Sequence, residues 1–311
     1  MKAIIYDKSQ KDLLMLKETE KPAPKENEVL IKIHSCSVNA ADVRSMKMGL
    51  IPKNKIFGSD IAGVVEAKGI NVSKFSIGDE VVVELSAHGF GGFAEYVSVA
   101  ESALVLKPKS LSFETASAIP MSSVTALQAL RNKGNIQPGQ KVLICGAGGG
   151  VGSFAVQLAK HFQTEVTAVC GRNNVSLMSD LNVDQIINYN EKSFTQSNQQ
   201  YDLILAVNGN YALSDYKRAL TSKGTVVIVG GSLSQLIKSM LFGKFVFFGN
   251  KKLRVLSAKS DNADLKFVLD LVTAGHIRPI IDRSYSLEQT PEAMQYLMEG
   301  HAQGKVVINV V

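Results

Sequence analysis

The sequence predicts an α/β protein of two domains: a compact, mostly antiparallel, barrel-like domain, then a doubly wound parallel-sheet domain. Three observations carry this expectation. Residues 1–118 are rich in short apolar strands separated by Gly and Asp turns. From about Ala116 strand-like and helix-like segments alternate, the pattern of a parallel sheet covered on both faces. The last strand-like stretch, Lys305–Val310, lies far in sequence from its expected partners and is read as returning to the first domain.

The elements follow in order. Val29–Cys36 alternates as a strand, Ile61–Glu66 follows, and a Gly78-Asp79 turn precedes Glu80–Glu84. The glycine-rich Gly89–Gly92 leads into Phe93–Val99. A helix at Val124–Leu130 opens the second domain, followed by strand 141–146, helix 150–162, strand 165–170 and helix 174–181. Then come strands 184–188 and 202–207, helix 211–220 and strand 225–229. Past residue 254 the pattern gives helix 264–274, a strand region at 279–286 and helix 291–299, opened by Thr290-Pro-Glu. The expected domains are 1–117 with 258–311, and 118–257.

At 311 residues, 45% hydrophobic and 20% charged, the composition is that of a soluble globular protein of two ordinary domains. No signal sequence is visible after Met1, and no apolar run reaches the length of a membrane span, so stable membrane insertion is not expected. Cys36, Cys145 and Cys170 sit in strand-like segments without paired spacing, as buried thiols of a reducing compartment, the cytoplasm. The net charge of +6 reads as a solvated basic surface or as a preference for acidic ligands. The lysines are dispersed, without the basic, aromatic stripe of a nucleic-acid site.

Lys141–Lys160 decides the second domain. The β-branched run Val142–Cys145 enters the loop Gly146-Ala-Gly-Gly-Gly150 and leaves as a helix with Val151, Ala155, Leu158 and Ala159 on one stripe. Strand, tight turn and helix N-terminus together cradle a pyrophosphate on backbone N–H groups, so Gly149, Gly150 and Val151 are candidate dinucleotide contacts. The first glycine of the usual spacing is Ala147 here, with Gly146 just before it. Sites for NAD place an acid at the end of the next strand to hold the ribose 2′-hydroxyl. Cys170 and Gly171 stand there instead, followed by Arg172 and Asn173. A guanidinium pairs with a 2′-phosphate that a carboxylate would repel, which points to NADPH; the alternative makes Arg172 an exposed loop charge. Asn208, Gly230 and Gly231 fall at later strand ends, on the side where open α/β sheets bind ligands.

The phrases Gly58-Ser-Asp-Ile-Ala-Gly-Val-Val65, Phe75-Ser-Ile-Gly-Asp-Glu-Val81 and Gly300–Val307, with the glycine loop, resemble the medium-chain dehydrogenase/reductase superfamily. Within it the chain resembles the zinc-free quinone oxidoreductase branch, through Ser86–Tyr96 and 299–307. The resemblance implies a GroES-like barrel domain completed by the C-terminus, a Rossmann domain and a homodimer. It assigns catalysis to Asn39 and Thr125, beside the nicotinamide. Taken from the residue alone, Thr125 is a helix hydroxyl bonded to its own preceding turn. Tyr189 matches a tyrosine near the adenosine phosphate, or packs on the sheet edge. Lys305 matches a cofactor-contacting lysine, or is a solvated strand start. His88, in the glycine loop, is either a proton source or a loop histidine without a role.

Zinc-dependent relatives carry a cysteine near residue 39 and a His-Glu pair near 59–60, where this chain has Asn39 and Ser59-Asp60. His34 and Cys36 share a strand face but lack a third ligand. No metal is therefore expected, and Asp42 and Asp60 read as structural. The expected activity is NADPH-dependent hydride transfer to a quinone or an α,β-unsaturated carbonyl, acceptors that are already electrophilic. The alternatives are a reductase of a more specific activated alkene, or a non-catalytic NADPH-binding protein of crystallin-like or RNA-binding type. Leu236–Gly249, dense in Phe and Leu but broken by Lys238 and Lys244, reads as core or as an apolar pocket wall, with an interfacial surface as the weaker alternative.

Overall fold

The strand Glu28–Val38 organises the N-terminal part of the chain, because three other strands pair along its length. Its bulges, between Leu30 and Ile31 and between Ile33 and Ser35, bend it so that different stretches meet different partners. Residues 28–32 pair with Tyr96–Ala100, and residues 35–38 pair with Lys305–Asn309. The structure, a computed structural model, describes residues 1–9, 13–208, 211–230, 246–247 and 249–311. The chain divides into two compact units: Met1–Val124 with Ser260–Gly275 and Pro279–Val311, and Thr125–Lys259 with His276–Arg278.

The first unit is built on a seven-stranded sheet. Its strands run Ile281–Ser286, Lys305–Asn309, Glu28–Val38, Asp60–Lys68, Glu80–Glu84 and Leu104–Leu106, with Tyr96–Ala100 added beside Glu28–Val38. Every pairing except Ile281–Ser286 with Lys305–Asn309 is antiparallel. A separate hairpin joins Lys2–Tyr6 to Leu14–Glu18. Alternation places Val29, Ile31 and Ile33 inside, where they pack with Ile61, Val81, Val83, Phe57 and Phe93. The C-terminal strand contributes Val306 and Ile308 to this core, which explains why the chain returns here.

Among the described residues the second unit holds six parallel strands in the order Gln185–Asn188, Glu165–Cys170, Lys141–Cys145, Tyr201–Ala206, Leu220–Ile228 and Lys252–Val255. Numbered by sequence within the sheet this is 3-2-1-4-5-6, the dinucleotide-binding order, whose strand order reverses beside Lys141–Cys145. Val142, Leu143 and Ile144 are wholly buried, as a strand covered on both faces requires. All three cysteines are buried and unpaired, on strands as expected.

Two element readings change. The strand expected at 225–229 starts earlier, at Leu220, directly after the helix Leu213–Ala219. Tyr201 pairs with Leu220 and Leu203 with Thr225, so a register irregularity absorbs the polar Thr221–Gly224 that hid the strand. The helix at Pro120–Leu127 continues as a π-helical turn over Gln128–Lys133, with Gly134 N–H reaching back to Ala129. Of the apolar segment 236–249, only Val246, Phe247 and Gly249 lie within the described residues, as does Gly230 but not Gly231. Among the described residues no helix is long and apolar enough to cross a membrane.

Candidate functional site

In the first unit, register brings distant polar residues together. Val306 stands opposite Val38, so Lys305 comes beside Asn39, where the long strand ends and the helix Ala40–Lys47 begins. The Lys305 ammonium donates to Asn39 Oδ1 at 2.5 Å and Ser122 Oγ at 3.2 Å, and lies 3.5 Å from Asp60 Oδ2. Asn39 Nδ2 donates to Asp60 Oδ2 at 2.9 Å and Ser59 Oγ at 3.1 Å. Both ends of the Asn39 carboxamide are thus engaged within the protein. Asp60 also accepts from the Met121 N–H and the Ser37 hydroxyl. Asp42 accepts from the backbone N–H groups of Asn39 and Gly58 and from Ser59 Oγ. Across the ladder from Asp60 stands Glu84, also buried, which accepts from Ser86 N–H.

Burial shapes the protonation of Asp42 and Asp60, the two carboxyls that act on the buried Lys305 amine. It pushes Asp42 up to about 7, against the pull of the Asn39 N–H bond, with Asp60 adding repulsion. It pushes Asp60 up to about 6, the attraction of Lys305 opposing and Glu84 reinforcing. Burial lowers Lys305 below the usual lysine range, while Asp60 and Asp42 draw it back up. Cys36 is held well above the ordinary thiol range by burial and then by Asp42 and Asp60. Asp42 and Asp60, read from sequence as structural, thus belong to the same network as Asn39. His34 stacks on Phe113 with ring centroids 4.2 Å apart. His88 ends a short 3₁₀ turn at Ser86–His88 and is exposed.

In the second unit, the glycine loop joins the Lys141–Cys145 strand to the helix Gly150–His161. The sharp turn is made by Gly146, at φ +85°, one residue before the position the usual spacing gives it. A Cβ on Gly152 would lie 2.1 Å from the Gly146 carbonyl oxygen, so only glycine lets the helix approach this closely. Gly149 faces open space, and no side chain caps the helix it begins. The first N–H groups of that helix are therefore available to an anion.

The next strand ends at Cys170, and Gly171, Arg172 and Asn173 follow. The Tyr189 hydroxyl lies where a Cβ on Gly171 would come within 2.6 Å, and the Tyr189 ring is 55% exposed. Asn190 Oδ1 accepts from the Arg172 N–H at 3.1 Å, fixing the loop from which the exposed Arg172 projects. Asn174, not singled out from sequence, presses its amide against Gly148, and its buried Oδ1 has no hydrogen-bond partner. No sequence pattern distinguishes it from Asn173 beside it; its orphaned oxygen is visible only in the fold. Asn208 donates its N–H to the Cys145 carbonyl, and Gly230 donates to Ala206, so both lie at carboxyl ends of strands. Thr125, half-buried, sits on the helix Pro120–Leu127 in this unit.

An uncapped glycine-rich helix start, an orphaned acceptor and a Cβ-free surface under Tyr189 fit a nicotinamide dinucleotide. Gly149, Gly150 and Val151 would hold its pyrophosphate, and Gly171, Arg172, Asn173, Asn174 and Tyr189 its adenosine end. Zinc does not fit the first-unit cluster. An amide, a hydroxyl and an ammonium stand around Asp60, and the ammonium repels a metal ion. Among the described residues no three His, Cys, Asp or Glu side chains are grouped to hold a metal.

Comparison with known proteins agrees with this architecture. Residues 25–109 match the alcohol dehydrogenase GroES-like domain, and residues 181–308 match the family described as zinc-binding dehydrogenase. The chain is 32% identical over 325 residues to the chloroplastic quinone-oxidoreductase QR1 of Triphysaria versicolor, covering 99% of this chain and 98% of that protein. It is 32% identical to the 2-methylene-furan-3-one reductase of Solanum lycopersicum, covering 100% of this chain and 79% of the relative. The quinone oxidoreductase from Coxiella burnetii superposes with a TM-score of 0.88 at 28% identity, covering 100% of this chain and 99% of that one. With a GroES-like first domain, a Rossmann sheet and relatives of this similarity along its whole length, the chain belongs to the medium-chain dehydrogenase/reductase superfamily, among its quinone oxidoreductase homologues.

Proposed function

We propose that this protein is an NADPH-dependent, metal-free oxidoreductase that transfers hydride to a quinone or an α,β-unsaturated carbonyl. The observation that carries the reading is the contact of the Lys305 ammonium with Asn39 and Asp60. Where zinc relatives gather ligands, this chain holds an amide and a fixed cation. Removing hydride from an unactivated alcohol needs a metal or base to form the alkoxide. Adding hydride to a conjugated carbonyl needs only stabilisation of the oxyanion that develops. The names of two relatives, a quinone oxidoreductase and a methylene-furanone reductase, share that acceptor chemistry.

The preference for NADPH is supported by Arg172 and by the missing acid after Cys170. When bound, the cofactor would supply the hydride, with Asn39 and Thr125 at its nicotinamide end by resemblance. Three unpaired buried thiols suit a reducing compartment such as the cytoplasm. Lys252–Val255 is one of the two edge strands of the parallel sheet among the described residues, which supports pairing with a second copy as a homodimer.

The test is NADPH oxidation against a panel of quinones, enones and simple alcohols in chelator-treated buffer. Turnover of quinones or enones without alcohol oxidation is expected. Failure across the panel by a protein that binds NADPH would favour a binding role instead, and activity restored only by zinc would overturn the metal-free assignment.

A further inference from the structure

We propose that Lys305, acting through the Ser122 hydroxyl, is the source of the proton that the reduced acceptor takes up. The inference rests on the hydride-transfer reading above, since each such turnover consumes one proton. Asn39 is poorly placed to give it, because both Nδ2 hydrogens are directed to Asp60 and Ser59 and its oxygen is held by Lys305. His88 is an exposed turn residue outside this network. Lys305 is the cation of the cluster, 2% exposed, and among the described residues Ser122 is the hydroxyl that accepts from it, its own O–H making only a long contact of 3.5 Å to Asn39 Oδ1. Ser122 lies on the helix that carries Thr125 one turn later.

The charged and titratable groups of the cluster are Cys36 and Asp42 from the long strand and the helix after it, and Asp60 and Glu84 from the two adjoining strands; on the strand paired with that of Lys305, Asp282 accepts from the Tyr296 hydroxyl and the Gln303 N–H instead. Asp60 and Asp42 both draw the buried amine toward its charged form, against the cost of its burial. Such a cluster draws a proton back to the amine after each turnover.

The step balances. Hydride adds to the β-carbon of an enone, the carbon–carbon π pair becomes the new double bond to the carbonyl carbon, and the carbonyl π pair moves onto the oxygen as an enolate. The Ser122 O–H proton passes to the enolate, and a Lys305 N–H proton passes to the Ser122 oxygen. The nitrogen keeps the bonding pair as a neutral amine. The amine takes a proton back from water after the product leaves, and the Asp60 carboxylate beside it favours the recharged ammonium.

The experiment uses Ser122→Ala and Lys305→Arg in the full chain, with an enone bearing an α-methyl group. NADPH affinity and thermal midpoint are measured first, then the pH profile of kcat and the enantiomer ratio at the new α-carbon. Both variants should bind NADPH like the parent and lose about a hundredfold in kcat, the usual size of a proton-transfer contribution. Ser122→Ala should also erode the enantiomer ratio. Lys305→Arg, which keeps its charge to higher pH, should shift the alkaline limb upward, an effect a purely structural lysine would not produce. An unchanged alkaline limb in Lys305→Arg, or parent-like rate and stereochemistry in Ser122→Ala, overturns the proposal. Weakened NADPH binding with kcat preserved at saturation overturns it in favour of a cofactor-contacting lysine. No turnover by the parent removes the functional reading itself and this role with it; normal turnover with unaltered variants removes only the proton role.

Discussion

Lys305 and Asp60 form an ion pair at 3.5 Å with both side chains essentially out of solvent, at 2% and 0% exposure. Such a pair is costly to bury and is held by the hydrogen bonds that Asn39, Ser37 and Met121 add to the carboxylate. Burial, tempered by Lys305 and reinforced by Glu84, raises Asp60 to about 6.

A carboxyl whose folded pKa exceeds its unfolded value stabilises the fold while protonated. That contribution fades as pH rises from the ordinary aspartate range through about 6. Asp60→Asn removes this titration, so its destabilisation should be larger at pH 5 than at pH 8. Thermal midpoints of both proteins at the two pH values check this, and a gap that widens with pH contradicts it.

Arg172 projects from the loop after Cys170, anchored through Asn190. Arg172→Glu should weaken NADPH about tenfold or more and change NADH little, because a charge-assisted pair contributes roughly 1.5–3 kcal/mol. Titration calorimetry with both cofactors decides it. Equal affinities for the two in the parent would remove the basis of the NADPH assignment.

Gly152→Ala places a methyl group 2.1 Å from the Gly146 oxygen and 2.7 Å from Ala147 backbone atoms, none of which can swing aside. The helix must move off the strand, at a cost of about 1–3 kcal/mol by the measure of overpacked cores. NADPH binding should fall with it, since the same loop presents the N–H groups. Gly149→Ala, facing open space, should leave stability nearly unchanged while obstructing the cofactor. Denaturant unfolding of both variants, with cofactor titration, separates the two effects.

Much of the second unit was legible because its signals are local. The glycine loop between an apolar run and an amphipathic helix fixes strand, turn and helix from twenty consecutive residues. The Leu220–Gly224 portion of a strand was not, because its polar residues follow no period of two and are accommodated by a register irregularity. In the first unit, Asn39 was legible from resemblance, but its partnership with Lys305 was not. That contact joins residues 266 positions apart, and depends on Val306 pairing with Val38 in a bulged strand. The acidity of the cluster was hidden for the same reason. Asp42, Asp60 and Glu84 each look like ordinary capping or strand residues until the fold buries them together.

Hydride transfer itself can be followed directly. The purified protein is given NADPH deuterated at the transferable C4 position together with an enone, and the product is examined by mass spectrometry and NMR. One deuterium is expected at the β-carbon of the saturated ketone, with one NADPH oxidised per product. NADPH bound but no deuterium delivered to any quinone or enone product would contradict it.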